Sequence, residues 1–326
     1  MTFVDHRGLV DRLDARVVGR RTELEQVIAG LAAGRHLLLE GPPGTGKSTL
    51  LRSIAEELDQ GFHFVEGNAE LTPARLVGTF DPAAVLERGY RAEVFLDGPL
   101  TAALREGSLL YIEEINRIPE ETLNVLIGVM SEGSIEVPRL GNVFAGDGFR
   151  LVAAMNPFDA IGTARISGAV YDRVCRLEMG YQEVADERAI VEARTSDATD
   201  MVGAEFIAAS VDIVRATRRH PDLRTGSSVR GSIDLVLVAA QLAALRNAAA
   251  FDPAVSRDAA QLALSGRVRV RDGCSRSAAE IVDELWREHL APRDAHDPAS
   301  NEPDGGHDGG PKAHRHPPAV ATTRRG

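Results

Sequence analysis

The stretch GPPGTGKS, Gly41 to Ser48, follows the apolar run HLLLE (His36 to Glu40) and precedes TLLRSIAEEL, which reads as helix. Its spacing is G-x-x-x-x-G-K-S, and its place between strand and helix decides the fold. A chain of phosphates carries dense negative charge. A loop poor in side chains lets successive backbone N–H groups approach that charge, and the following helix N-terminus adds a positive partial charge. Gly41, Pro42, Pro43, Gly44, Thr45 and Gly46 would form this cradle, continued by Lys47, Ser48 and Thr49 in the first helical turn. Lys47 would reach the terminal phosphates and Ser48 would place its hydroxyl on Mg2+. The alternative is a Gly/Pro turn that merely joins strand to helix. That turn would need neither the lysine nor the serine, and the only other lysine in the chain is Lys312.

Outward from this loop, short apolar runs alternate with helical patterns from about Val17 to Tyr181. The runs are HLLLE, FHFVEG (Phe62 to Gly67), SLLYIEE (Ser108 to Glu114), FRLVAAMN (Phe149 to Asn156) and VCRLEMGY (Val174 to Tyr181). Their apolar continuity suits strands buried on both faces, which predicts an α/β domain over 1–182 with a parallel sheet sandwiched by helices. Two β-prone pieces flank Leu140-Gly141-Asn142 and predict a hairpin inserted before the Phe149 strand. After Tyr181, segments such as FIAASVDIVRATRRH and SIDLVLVAAQLAALRN carry apolar residues at three- and four-residue spacings, so 183–290 is expected to be an all-α domain. The remainder, 291–326, is rich in Pro, Gly and polar residues and is expected to be disordered.

The formal net charge of -11 makes the average surface repel phosphate backbones, so nucleic acid is an unlikely partner. Cys175 and Cys274 lack metal-ligand spacing, and the simplest account is two free thiols buried as small apolar groups in a reducing compartment. The first residues, MTFVDHRGLVDRLD, are too charged for a secretory signal, and no window reaches the roughly 18 apolar residues of a spanning helix. A cytoplasmic protein is expected.

The stretch LLYIEEINR, Leu109 to Arg117, ends an apolar run in two acids. Alone, Glu113 and Glu114 read first as a strand ending in a charged turn. Beside a phosphate loop they supply what hydrolysis needs, a metal-positioning carboxylate and a group that activates water. In an extended strand the two side chains point to opposite sides, one toward metal and loop, the other toward the attacking water.

Together these residues resemble the AAA+ ATPases, and within them the MoxR branch, over about Val17 to Leu290. VVGR (Val17 to Arg20) is similar to the segment that lines the family's adenine pocket, which implies that Val18 and Gly19 contact the base. The run from Val94 to Gly133 resembles the branch's acid-bearing strand and following helix. The resemblance implies that Asn156 in AAMNP is the polar sensor between phosphate loop and water, a task suited to an amide that both donates and accepts. It implies that Arg173, in the pair Asp172-Arg173, projects into a neighbouring subunit's site, with Arg117, Arg165 and Arg224 as competing candidates. Arg230 in TGSSVRGS resembles the second sensor, at the start of a lid-domain helix. Without the resemblance, either arginine would read as a surface salt-bridge residue.

One departure stands at Glu113, where family members usually carry Asp. The added methylene displaces the carboxylate by about 1.5 Å, which an acid acting on Mg2+ through water can absorb by a rotamer change. The resemblance implies an ATP- and Mg2+-dependent hydrolase with Glu114 activating water, assembled in a ring of six. It further implies a chaperone that matures a client enzyme or inserts its metal or cofactor, with a separate von Willebrand factor A domain protein as partner. The alternatives are a low-turnover ATP-sensing scaffold, to which Glu113 lends weight, and a chelatase or DNA-directed motor.

Overall fold

The computed structural model describes residues 6–157 and 166–291. The expected tail beyond Ala291, and Arg165 among the candidate arginines, lie outside these residues. Five strands form one parallel sheet: β1 (His36–Glu40), β2 (Phe62–Glu66), β3 (Leu109–Glu113), β4 (Arg150–Met155) and β5 (Val174–Glu178). Their spatial order is β2-β3-β4-β1-β5. The loop after β1 therefore opens beside the ends of β4 and β3, where the other candidate residues stand.

Alternate residues of each strand enter two separate cores, as the two-residue period of a pleated strand requires. Leu38, Leu110, Ile112, Leu151 and Ala153 face a core closed by Leu100 and Leu104 of helix Pro99–Glu106 and by Leu123 and Leu126 of helix Glu120–Glu132. Leu37, Leu39, Leu109, Tyr111, Val152 and Ala154 face the other, closed by Leu24 and Ile28 of helix Arg21–Ala32 and by Leu50 and Ile54 of helix Lys47–Glu57. Burial on both faces is why β1, β3 and β4 read as unbroken apolar runs, whereas the edge strands β2 and β5 are only partly covered, contrary to the expectation. The inserted hairpin pairs Ser134–Val137 with Gly141–Phe144 in antiparallel register. A second antiparallel pair, Gly78–Phe80 with Phe95–Asp97, lies in the segment after β2.

Residues from Val184 to Leu290 build a third core, centred on Phe206, Val211, Leu235, Ala239, Ala260 and Ile281. Two of its helices begin where side chains satisfy free amides. Asp252 accepts from the N–H of Ala254 ahead of Pro253, and Ser277 forms a reciprocal capping box with Glu280. The region departs from all-α in one detail, a two-stranded ribbon of Leu223–Thr225 with Arg269–Val270, which buries Leu223 between helices. The thiols also depart from expectation. Cys175 is exposed because β5 is an edge strand, and Cys274 is only half-buried. Among the described residues no helix is long and apolar enough to cross a membrane.

Candidate functional site

The loop after β1 is anchored where it leaves the strand, to the chains on both sides. The Gly41 N–H donates to the Met155 carbonyl at 3.1 Å, and the Met179 N–H donates to the Glu40 carbonyl at 2.7 Å. Gly41 packs so closely on the strand beside it that a Cβ there would lie 2.1 Å from the Met179 carbonyl oxygen, a distance no side chain tolerates. Lys47, 7% exposed, donates from Nζ to the carbonyls of Gly41 at 2.9 Å and Pro42 at 3.0 Å. Burial lowers its pKa to about 8; Glu113 and Glu114 pull it upward, while Arg20 and Arg230 push it down.

Arg20 is held from the other side. It is 3% exposed and donates from Nη2 to the Thr45 carbonyl at 2.9 Å and the Gly180 carbonyl at 2.6 Å, and from Nη1 to Glu23 at 2.5 Å. It ties the loop to the start of helix Arg21–Ala32 and to the chain leaving β5. Nothing local in VVGR announces this role, since the partners stand 25 and 160 residues away.

A cavity of about 400 Å³ opens over the loop, lined by Gly44 to Thr49, Glu66, Glu113, Glu114, Arg117, Asn156 and Arg230 among others. Ser48 Oγ donates to Glu113 Oε1 at 3.1 Å and lies 3.2 Å from the Tyr111 hydroxyl. Glu113 shares a strand face with Tyr111 two residues earlier, and that face meets helix Lys47–Glu57. A hydroxyl and a carboxylate side by side are the hard oxygen donors that Mg2+ prefers, so Ser48 and Glu113 fit such an ion. No group of three or more His, Cys, Asp or Glu able to hold a metal occurs among the described residues, so further ligands would be phosphate oxygens and water.

Glu114 differs from the expected extended geometry. β3 ends at Glu113, and Glu114 adopts a left-handed conformation with φ 56 and ψ 44 before the turn Ile115–Arg117. Its carboxylate pairs with the Arg117 guanidinium three residues on. The backbone here is clamped by Gly67, whose N–H donates to the Glu113 carbonyl at 2.7 Å and where a Cβ would fall 2.4 Å from the Glu114 carbonyl oxygen. A non-glycine residue in this conformation is costly and persists where its surroundings over-determine it. The final glycine of FHFVEG is the available signal, although only the pairing of β2 with β3 gives it meaning.

Asn156 directly follows β4, which lies between β1 and β3, and so stands between loop and acids. Arg230, second residue of helix Val229–Arg246, reaches the same cavity. Gly44 of the loop sits against Ser228, just before that helix. Arg230 is exposed and makes no hydrogen bond or ion pair among the described residues.

Arg173 is not brought to the cavity. Its Nε donates to Ser131 Oγ at 2.6 Å and its Nη1 to the Ala169 carbonyl at 2.8 Å. Arg224 lies on the ribbon, 3.9 Å from Asp272. Val18 and Gly19 lead into Arg20 and stand apart from the residues lining the cavity.

Strand, glycine-rich loop and helix, with acids at the end of the adjacent strand but one, define a P-loop nucleotide-binding domain. The family described as AAA domain, dynein-related subfamily, matches residues 36–174. An uncharacterized protein of Staphylococcus saprophyticus is 30% identical over 203 residues, 62% of this chain and 76% of that one. YeaC of Bacillus subtilis, also uncharacterized, is 29% identical over 266 residues, 73% of this chain and 78% of that one. Among solved structures, a point mutant of RuvB from Thermotoga maritima shares the fold, with a TM-score of 0.50 at 20% identity over 80% of this chain and 71% of that one. The chain belongs to the AAA+ ATPases.

Proposed function

We propose that the protein binds ATP with Mg2+ over the phosphate loop and hydrolyses it at a site completed by a neighbouring copy in a ring, here taken as hexameric. The observation that carries this reading is the convergence of Lys47, Ser48, Glu113, Glu114, Asn156 and Arg230 on one cavity at the ends of β1, β3 and β4. In this reading the loop amides and Lys47 bind the phosphates, and Arg230 grips the terminal one with paired donors. Val18 and Gly19 border the base. Glu114 orients the attacking water and takes its proton, and the Asn156 amide holds water and phosphate oxygen together. Bound Mg2+, held by Ser48 and Glu113, would neutralise charge developing on the phosphates. Arg173, outside its own chain's cavity, is assigned to the neighbour's site. Residues 183–290 act as the lid that reports the nucleotide state through Arg230.

The finer part of the proposal is the biological one: a MoxR-type chaperone that matures a client enzyme or its metal or cofactor site, together with a von Willebrand factor A domain partner. Its support is the resemblance and two segments, the one between β2 and β3 and the hairpin before β4, which meet where Arg139 stacks on Tyr90 at 3.8 Å and which expose Leu86, Leu96 and Phe144.

A second reading, the low-turnover scaffold, is favoured by one observation. The Glu114 carboxylate is already engaged by Arg117 and must leave that partner to reach water. Steady-state ATPase assays in Mg2+ and in EDTA decide between the two. Hydrolysis in Mg2+ that falls about a thousandfold in Glu114→Gln, with ATP affinity kept, supports the motor. ATP-driven assembly without wild-type turnover supports the scaffold. Capture of a client and a partner on Glu114→Gln with ATP tests the chaperone role; recovery of the protein alone counts against it.

A further inference from the structure

Tyr111 is completely buried, in the middle of β3, and a residue there needs only to be apolar. Its ring packs between Phe62, with centroids 5.9 Å apart, and Phe64 at 5.7 Å, so phenylalanine would fill the same space. A hydroxyl buried in such a place costs free energy unless it is hydrogen-bonded. Here it lies 3.2 Å from Ser48 Oγ, which in turn bonds Glu113 at 3.1 Å.

An ionised carboxylate only accepts, and Ser48 donates to Glu113, so the Ser48–Tyr111 bond then uses the tyrosine proton. An ordinary phenol keeps its proton at neutral pH, so Tyr111 has one to donate. A serine hydroxyl has one proton and two lone pairs. With its proton on Glu113 and one lone pair receiving Tyr111, Ser48 retains a single lone pair in a fixed orientation.

We infer that Tyr111 is a positioning residue for the metal: its hydroxyl locks the Ser48 rotor so that the remaining lone pair is presented to the Mg2+ that accompanies the nucleotide. Ser48 is then oriented from two sides, by an acceptor at Glu113 and a donor at Tyr111. The inference rests on the nucleotide and Mg2+ reading of the site and deepens it.

The test measures binding of a fluorescent ATP analogue, with Mg2+ titrated at fixed analogue and, separately, in EDTA. Tyr111→Phe keeps the ring and its packing and removes one hydrogen bond, so the Mg2+ midpoint should rise about fivefold while affinity in EDTA stays at the wild-type value. In a Ser48→Ala background, Tyr111→Phe should change the midpoint no further, because the hydroxyl has nothing left to orient. An unchanged midpoint in Tyr111→Phe overturns the inference. So does an equal loss of affinity in EDTA, which would make the tyrosine merely structural, or an effect that persists without Ser48. Wild-type protein that binds the analogue equally well with Mg2+ and with EDTA, or not at all, would instead overturn the reading of the site, a result visible before any variant is made.

Discussion

The phosphate loop and the arginines assigned to the same phosphates are held in opposite ways. The loop is fastened by the Gly41 N–H to Met155, by Lys47 to its own carbonyls and by Arg20 to Thr45. Arg230 reaches the cavity exposed and without a hydrogen bond or ion pair among the described residues, and Arg173 is engaged elsewhere, by Ser131 and Ala169. A preformed cradle spares the ordering entropy of binding. A group that makes its bonds only when nucleotide arrives has a different free energy in the two states, which any nucleotide-driven movement requires. Under the proposed function, the cradle would serve affinity and Arg230 the response.

The sharpest way to break this contrast is to unseat the loop. Gly41→Ala forces the loop away from the Met179 carbonyl, only 2.1 Å from the new methyl, and the clash is with backbone that cannot rotate aside. Overpacking of this kind costs about 1–3 kcal/mol or more, so the melting temperature should drop and nucleotide affinity should fall by roughly a hundredfold or more. Wild-type affinity in Gly41→Ala would mean that the loop is shaped by the nucleotide instead.

Arg230→Ala should behave differently. With no hydrogen bond or ion pair to lose among the described residues, it should leave the melting temperature unchanged, while affinity for ATP falls about tenfold through lost charge-assisted bonds. A substantial drop in stability would show that Arg230 belongs to the fastened half of the site after all.

Legibility in the sequence divides along a different line. The loop, the five core strands and the pair of acids are readable because each is a local pattern: a motif of fixed spacing, a run of apolar residues, adjacent carboxylates. The strand order is not, since apolar continuity says that a strand is buried but not what lies beside it. Arg20, Gly67 and Tyr111 stay hidden for the same reason. Their partners are Thr45, the backbone of Glu113 and Glu114, and Ser48, all distant in sequence and brought close only by the order β2-β3-β4-β1. Tyr111 is the nearest to being legible, because period-two counting from Glu113 already puts it on the face toward the loop. The turn at Glu114 departs from expectation because an apolar run ending in two acids reads as continuous strand, whereas the chain leaves the sheet between them.

The smallest expected effect bears on what the preformed cradle costs its lysine. Burial lowers Lys47 from its ordinary value of 10.5 to about 8, so near pH 8 roughly half of the ligand-free molecules hold it neutral. Phosphates favour the charged form, and nucleotide binding should then take up about half a proton per site through Lys47 at pH 8, against almost none through Lys47 at pH 6, a contribution isolated by the difference from Lys47→Met. Calorimetry in buffers of different ionisation enthalpy reads this directly. The same shift has a signed consequence for stability. Between about pH 8 and 10.5 the unfolded lysine binds a proton that the folded one has released, so the stability of the ligand-free protein gains with rising pH in that window. Lys47→Met should remove that gain, visible as a difference in the pH dependence of the two melting curves. Absence of both proton uptake and this difference would mean that the Gly41 and Pro42 carbonyls, at 2.9 and 3.0 Å, suffice to keep the lysine charged. The loop would then be ready for phosphate without any electrostatic penalty, and the contrast with Arg230 would rest on geometry alone.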